Sequence, residues 1–338
     1  MQKIIITGTE RAELVNVSAP NAKDNWAVVK VHAAPMCTEY KAWRAGQPSS
    51  FLGHEAAGEV VEVARTGAVK VGDRVVVMPQ YPCGQCGLCE SGDYIHCEHL
   101  VDVEAYTGTR EGSATYAQYL IKPDWLLPKI PDDIPYERAS LACCGLGPSY
   151  GAFELMKLGA GQTVLITGLG PVGLGAIVNA RVRGVKVIAV ESFPWRTERA
   201  MEMGATAVLH PRDPATINRI KELSNGLGVD CALDCSGTVA GQRLCIDAAR
   251  RKGTVAFVGE CSDELAIRIS PDMIRKGLTL IGSWHYNLSH FNGIMQVIRT
   301  SPLLDLLISH TLPMRDVEQA FRLQASGECA KVIMRPWE

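Results

Sequence analysis

"TVLITGLGPVGLGAIVNA", residues 163–180, is the stretch on which the reading of this chain turns. A β-branched run, Thr163–Thr167, ends at a glycine, and Gly168, Gly170 and Gly173 then fall in the pattern G-x-G-x-x-G. The pattern carries weight only between a strand and a helix, and both flanks fit. The first glycine permits a sharp turn, the second a close approach of backbone to a pyrophosphate, and the third tight packing of helix on strand. Pro171 and Val172 open the helix, where proline's missing N–H costs nothing. The free N–H groups of that first turn are suited to phosphate. The next strand, "VKVIAV", runs into Glu191, 18 residues past Gly173. A carboxylate there accepts hydrogen bonds from an adenosine ribose and repels a 2′-phosphate, so NAD is expected over NADP. Arg196, five residues on, is placed either over the nucleotide or as an exposed cation at a helix start.

Outward from this unit, strand and helix alternate. "TVLIT" (163–167), "VKVIAV" (185–190), "TAVL" (206–209), "DCALD" (230–234), "TVAFV" (254–258) and "LTLIG" (278–282) read as strands. Helical stretches such as "PWRTERAMEMGA", "ATINRIKELSNG" and "AGQRLCIDAARRKG" lie between them. Such alternation makes a doubly wound parallel sheet. Before Pro135 the chain reads as short β-rich runs broken by Gly and Asp, with no long helix. After Trp284 the alternation stops, leaving "SHFNGIMQVIRTSP" and "RDVEQAFRLQASG" as helices and "CAKVIMRP" as a strand.

The 338 residues carry a formal charge of −2, which gives no case for nucleic acid or an anionic membrane. No apolar run approaches the roughly 18 residues of a membrane span, and the N-terminus lacks a secretory pattern. These features point to a soluble, cytoplasmic protein whose thiols stay reduced.

Twelve cysteines are present, and four lie close together in "PCGQCGLCESGDYIHC": Cys83, Cys86, Cys89 and Cys97. Disulfides would be strained at these spacings. Four converging thiolates suit a tetrahedral zinc, and an iron–sulfur cluster also uses four. Either way no ligand position stays open, so this metal is expected to hold a loop. A sparser set offers Cys37 in "PMCTEY", His54 and Glu55 in "LGHEAAGE", and Cys143 and Cys144 in "LACCGLGPSYG". Three protein ligands and one open position mark a catalytic zinc. Each residue alone could equally be core. Cys231, Cys235, Cys245, Cys261 and Cys329 sit in apolar runs and read as small buried hydrophobes.

"GHEAAGEVVEVA", "VKVGDRV", the four-cysteine loop and "TGLGPVGLGA", in that order, resemble the zinc-dependent medium-chain alcohol dehydrogenases, closest to the polyol and threonine dehydrogenase branch. The resemblance covers nearly the whole chain. It implies an α/β fold: a GroES-like catalytic domain (1–147, with a structural zinc lobe at about 82–98), a Rossmann NAD-binding domain (148–285) and a C-terminal return to the catalytic domain (286–338). It implies two zinc ions per chain, NAD as hydride acceptor, a small-molecule alcohol or ketone as substrate, and a homodimer or homotetramer. Cys37, His54 and a third ligand would hold the catalytic zinc. The third is a cysteine six residues before a Tyr-Gly pair, and Tyr150-Gly151 points to Cys144. Glu55 corresponds to the carboxylate beside that zinc. The family's Cys-Gly-Ser/Thr-Asp is here "CTEY". Without a gap, Glu39 takes the place of the proton-relaying hydroxyl and Tyr40 that of the Asp; shifted by one, Thr38 and Glu39 fill those places. A Glu39 beside the zinc would suit a substrate with extra hydroxyls or an amine. The expected activity is therefore oxidation of a polyol, sugar or cyclitol-like secondary alcohol. The rival readings are a simple or threonine-like amino alcohol, and an inactive NAD-binding sensor or structural protein. Trp43, Phe51, Trp284, His285 and Tyr286 are candidates for the pocket wall, with core packing as the competing role.

Overall fold

The computed structural model describes all 338 residues. It divides into two compact units: Met1–Cys144 with Asn287–Thr300 and Ile308–Glu338, and Gly145–Tyr286 with Ser301–Leu307. The tail expected to return whole to the first unit is split, because the segment Ser301–Leu307 belongs to the second. Leu304 and Leu307 there are fully buried, and Arg199 of the same unit donates to the Leu306 carbonyl at 2.6 Å. No helix is long and apolar enough to cross a membrane.

The first unit begins with a hairpin, β1 (Gln2–Gly8) and β2 (Arg11–Asn16), followed by β3 (Trp26–Pro35), β4 (Ala56–Glu62), β5 (Arg74–Val77) and β6 (Tyr119–Pro123). β3 pairs antiparallel with both β4 and β6, and β4 with β5. "WAVVKVHAAP" carries apolar residues on both faces because β3 is interior, and nearly every position in it is buried. Val29, Val31, Val60, Val75 and Val77 form one core with Trp43, whose ring stacks on Phe321 at 5.4 Å.

The second unit holds the six expected strands: β7 (Thr163–Thr167), β8 (Lys186–Val190), β9 (Ala207–Leu209), β10 (Val229–Asp234), β11 (Ala249–Phe257) and β12 (Thr279–Gly282). All pair parallel, in the order β12-β11-β10-β7-β8-β9. The order reverses between β7 and β10, and a crevice opens at the carboxyl ends of the strands at such a point. One boundary differs from expectation. "AARRKG" reads as the end of a helix, yet that helix stops at Ala248 and β11 begins at Ala249, paired with Val229. Arg250 reaches Asp230 on β10 at 2.7 Å, at the point where the register shifts between the Val229–Ala249 and Cys231–Thr254 pairs.

After Tyr286 the two helices form at Phe291–Thr300 and Val317–Ser326. β13 (Ile308–Pro313) was not legible in the sequence; it runs parallel to β14 (Lys331–Arg335), which pairs antiparallel with β3. That pairing brings Lys331 into the first unit's interior.

Candidate metal centres and dinucleotide site

The four-cysteine segment turns tightly on itself. Its sulfurs lie 3.5 Å (Cys86–Cys89), 3.6 Å (Cys97–Cys83), 3.8 Å (Cys86–Cys97) and 4.0 Å (Cys83–Cys89) apart. All four cysteines are free. A zinc with Zn–S bonds of 2.3 Å sets its sulfurs about 3.8 Å apart, and these four separations suit such an ion. The backbone N–H groups of Cys83 and His99 both donate to Cys97 Sγ at 3.4 Å, giving a thiolate there outer hydrogen bonds.

The second cluster is assembled from three places in the chain. Cys37 follows β3, His54 and Glu55 precede β4, and Cys144 ends the first unit's main segment. Their ligand atoms lie within 4.8 Å of one another. His54 Nε2 is 3.2 Å from Cys144 Sγ, against about 3.6 Å between nitrogen and sulfur on a tetrahedral zinc. Cys143 is not part of it: its thiol is fully buried and donates to the Val77 carbonyl.

Glu39 lies behind the histidine. Its Oε1 is 3.0 Å from His54 Nδ1, and its Oε2 accepts from the Cys37 N–H at 3.0 Å and the Tyr116 hydroxyl at 2.8 Å. Burial alone would raise its pKa, but the hydrogen bond and charge of His54 outweigh that and hold it down at about 2. Both oxygens are occupied within the protein. Glu39 is thus engaged with His54, Cys37 and Tyr116, and none of these contacts is the relay or substrate role expected of it. The contact with His54 fits the second of the two "CTEY" alignments, in which Thr38, exposed beside Cys37, is the hydroxyl. Tyr40 instead packs against the first unit's core.

Glu55 is fully buried; Oε2 accepts from the Cys144 N–H at 3.0 Å and Oε1 meets Lys331 Nζ at 2.6 Å. Lys331 had no signal in the sequence, because the pairing depends on β14 returning beside β3. Of the aromatic candidates, Trp43 is 1% exposed and belongs to the core, not to a pocket wall. Phe51 is partly exposed between Lys3 and Arg110. Trp284 is about half exposed, at 46%, and His285 stacks on Tyr286 at 4.7 Å.

In the second unit, Gly168 turns at φ +78°, and a Cβ on Gly173 would sit 2.0 Å from the Gly168 carbonyl oxygen, so both positions require glycine. Gly170 and Pro171 start the helix Pro171–Val182, which follows β7 directly. Glu191 lies at the end of β8; its Oε2 accepts from the Leu169 N–H at 2.7 Å, and its Oε1 from those of Ser192 (2.6 Å) and Phe193 (3.0 Å). Arg196 approaches the open side of Gly170 and its guanidinium lies over the Phe193 ring at 5.0 Å. A cavity of about 500 Å³ opens here, lined by Gly168, Glu191, Ser192, Thr238 and Arg243 among others. Asp234, fully buried at the end of β10, went unnoticed in the sequence. It accepts from the hydroxyls of Thr167 at 2.7 Å and Ser236 at 2.6 Å and ties β7 to β10 where the sheet order reverses.

These features have counterparts in known proteins. Residues 171–300 match the family of zinc-binding dehydrogenases, and residues 23–132 match the alcohol dehydrogenase GroES-like domain. A sorbitol dehydrogenase from Bacillus subtilis is 30% identical over 99% of this chain and 97% of its own. An L-threonine 3-dehydrogenase from Pyrococcus abyssi is 31% identical over 95% and 94% of the two chains. Among solved structures, an alcohol dehydrogenase from a Thermus species superposes with a TM-score of 0.88 at 26% identity, over 99% of each chain. Two family matches, full-length relatives and a shared fold agree, and the chain belongs to the zinc-dependent medium-chain alcohol dehydrogenases.

Proposed function

We propose that this protein oxidises a secondary alcohol with NAD, and reduces the corresponding ketone, at a zinc held by Cys37, His54 and Cys144. A second zinc, on Cys83, Cys86, Cys89 and Cys97, would hold the lobe at about 82–98. The observation that carries the reading is the convergence of Cys37, His54, Glu55 and Cys144, drawn from three separate segments, on one small volume. When bound, the zinc supplies a Lewis acid that lowers the pKa of the substrate hydroxyl, and the dinucleotide supplies the hydride acceptor.

The chain's own residues do the rest. Glu39 accepts from His54 Nδ1, which fixes the imidazole tautomer and leaves Nε2 for the metal. Thr38, exposed and next to Cys37, is the hydroxyl placed to pass the substrate proton toward water. Gly168, Gly170 and the helix start at Pro171 receive the pyrophosphate, and the Glu191 carboxylate disfavours a 2′-phosphate. Assembly as a homodimer or homotetramer belongs to the same reading.

For the substrate we keep two classes. A polyol, sugar or cyclitol-like secondary alcohol is supported by likeness to the Bacillus subtilis sorbitol dehydrogenase. A threonine-like amino alcohol is supported by a relative of equal similarity. Placing Glu39 behind His54 removes the electrostatic argument that singled out the polyol. A panel of polyols, sugars, cyclitols and amino alcohols, followed by NADH absorbance with zinc-replete protein, tests the proposal. Turnover of one class identifies it. No turnover with any secondary alcohol, at full zinc content, would favour the inactive sensor.

A further inference from the structure

The hydroxyl of Tyr116 is buried beside the metal ligands without touching them, and the activity described so far gives it no task. We infer that Tyr116 is a positioning residue for the Cys37–His54–Cys144 metal site, acting through Glu39; this rests on the reading of that cluster as a metal site. Tyr116 is 1% exposed, and its hydroxyl donates to Glu39 Oε2 at 2.8 Å. The same oxygen accepts the Cys37 N–H, and Oε1 faces His54 Nδ1. One carboxylate thus spans two ligands from two loops, and the tyrosine fixes how that carboxylate is turned.

The ring is itself keyed to the histidine loop. Gly53, at φ +83°, immediately precedes His54, and a Cβ there would lie 2.3 Å from the Tyr116 ring. The Tyr116 N–H donates to the Leu52 carbonyl at 3.0 Å, and Thr115 to that of Gly53 at 3.3 Å. The aromatic ring therefore sits flush against the loop that delivers His54, and only its hydroxyl reaches on to Glu39. A glutamate side chain has several rotatable bonds, and without the hydroxyl it would hold His54 less firmly. Partners behind a metal ligand contribute about 10–100-fold to metal affinity. A core hydroxyl that merely found an acceptor would contribute nothing to it.

The test uses full-length, zinc-loaded protein: wild type, Tyr116→Phe, Glu39→Gln and the double variant. Each is equilibrated against zinc buffered by EDTA, and retained zinc is measured by elemental analysis. The equivalent held by Cys83, Cys86, Cys89 and Cys97 reports the fold in every sample. Wild type should retain two equivalents. Tyr116→Phe keeps the ring and loses only the hydroxyl, and should weaken the second equivalent about 10-fold while leaving the first alone. The double variant should bind no more weakly than Glu39→Gln, because a route through Glu39 makes the two losses non-additive. Wild-type retention in Tyr116→Phe, or a loss that adds in full to that of Glu39→Gln, would overturn the inference. So would loss of both equivalents together, which would assign the hydroxyl to the fold. A single equivalent in wild type would overturn the metal reading itself, before any variant is compared.

Discussion

Lys331 Nζ and Glu55 Oε1 lie 2.6 Å apart with both side chains wholly removed from solvent, immediately behind Cys37, His54 and Cys144. Burial disfavours the ammonium, but Glu55, Cys37 and Cys144 outweigh it and hold its pKa above the usual lysine range. Burial also pushes the Glu55 carboxyl up, to about 7, against the pull of Lys331.

Removing one member of such a pair leaves a charge alone in the dry interior. Lys331→Met should therefore destabilise the protein by about 3–5 kcal/mol, read from urea unfolding of the zinc-loaded protein. Lys331→Met combined with Glu55→Leu should recover a large part of that loss. A single variant as stable as wild type would mean that Glu55 takes up a proton, or that water or another cation reaches it.

The two metal clusters should separate cleanly. Cys86→Ser should lose one zinc equivalent and thermal stability, with some turnover in whatever remains folded. Cys144→Ser should lose the other equivalent and most turnover while keeping its fold. Cys143→Ser should keep both zincs, since its thiol points at the Val77 carbonyl instead. Elemental analysis with thermal unfolding distinguishes all three.

Trp43 offers a test of core against pocket. Its burial against Phe321 predicts a loss of about 3–5 kcal/mol for Trp43→Ala, with KM for the alcohol unchanged in the folded fraction. A raised KM at unchanged stability would return it to the pocket wall.

Lys122 sets a pH dependence. Its side chain is buried, donates to the Gln80 carbonyl at 2.7 Å and lies over the Tyr81 ring at 3.6 Å, with no carboxylate partner among these contacts. Burial lowers its pKa to about 7, whereas in the unfolded chain a lysine stays near its usual value of about 10.4. Between those values the unfolded chain binds more protons, so stability rises with pH, by up to about 1.4 kcal/mol per unit. Below pH 7 both states are charged and the contribution is flat. Urea midpoints at pH 7, 8 and 9 should climb less steeply in Lys122→Met than in wild type; parallel slopes would show the ammonium held charged by Tyr81 and Gln80.

Glu191 predicts cofactor choice. The ratio of kcat/KM for NAD to that for NADP should exceed one and fall in Glu191→Ala. Because Glu191 also accepts the Leu169 N–H, the substitution should weaken both cofactors as it narrows the gap.

How much of this was readable in advance depended on whether neighbours in space were neighbours in the chain. Gly168, Gly170, Gly173 and Glu191 belong to one strand–turn–helix–strand unit, and Cys83 to Cys97 to one loop, so their spacing and their flanks drew attention to them as candidates. The order of "CTEY" was not decidable without geometry, because a one-residue shift exchanges the roles of Thr38 and Glu39. The His54 Nδ1 contact supports the order with Thr38 as the hydroxyl. Tyr116, Asp234 and Lys331 look like ordinary strand residues in the sequence. Their tasks come from strand pairing: β7 beside β10, β14 beside β3, and the Gly53 loop beside Thr115 and Tyr116. Likewise "AARRKG" has helical propensity, and its extension beside β10 shows only in the Ala249–Val229 pairing and the Arg250–Asp230 contact.

The return of β14 to β3 also bears on how the protein is made. Glu55 and Lys331 are 276 residues apart, which at ribosomal rates of about 5–20 residues per second is a delay of roughly 14–55 s. The six strands of the parallel sheet all lie between 163 and 282 and can pair while synthesis continues. The first unit, though begun earlier, cannot close until Lys331–Arg335 has been translated. A nascent chain stalled before that point would carry Glu55 without its counter-ion and the end of β3 at Ala34–Pro35 without its partner strand, which makes this half the one in need of chaperone cover.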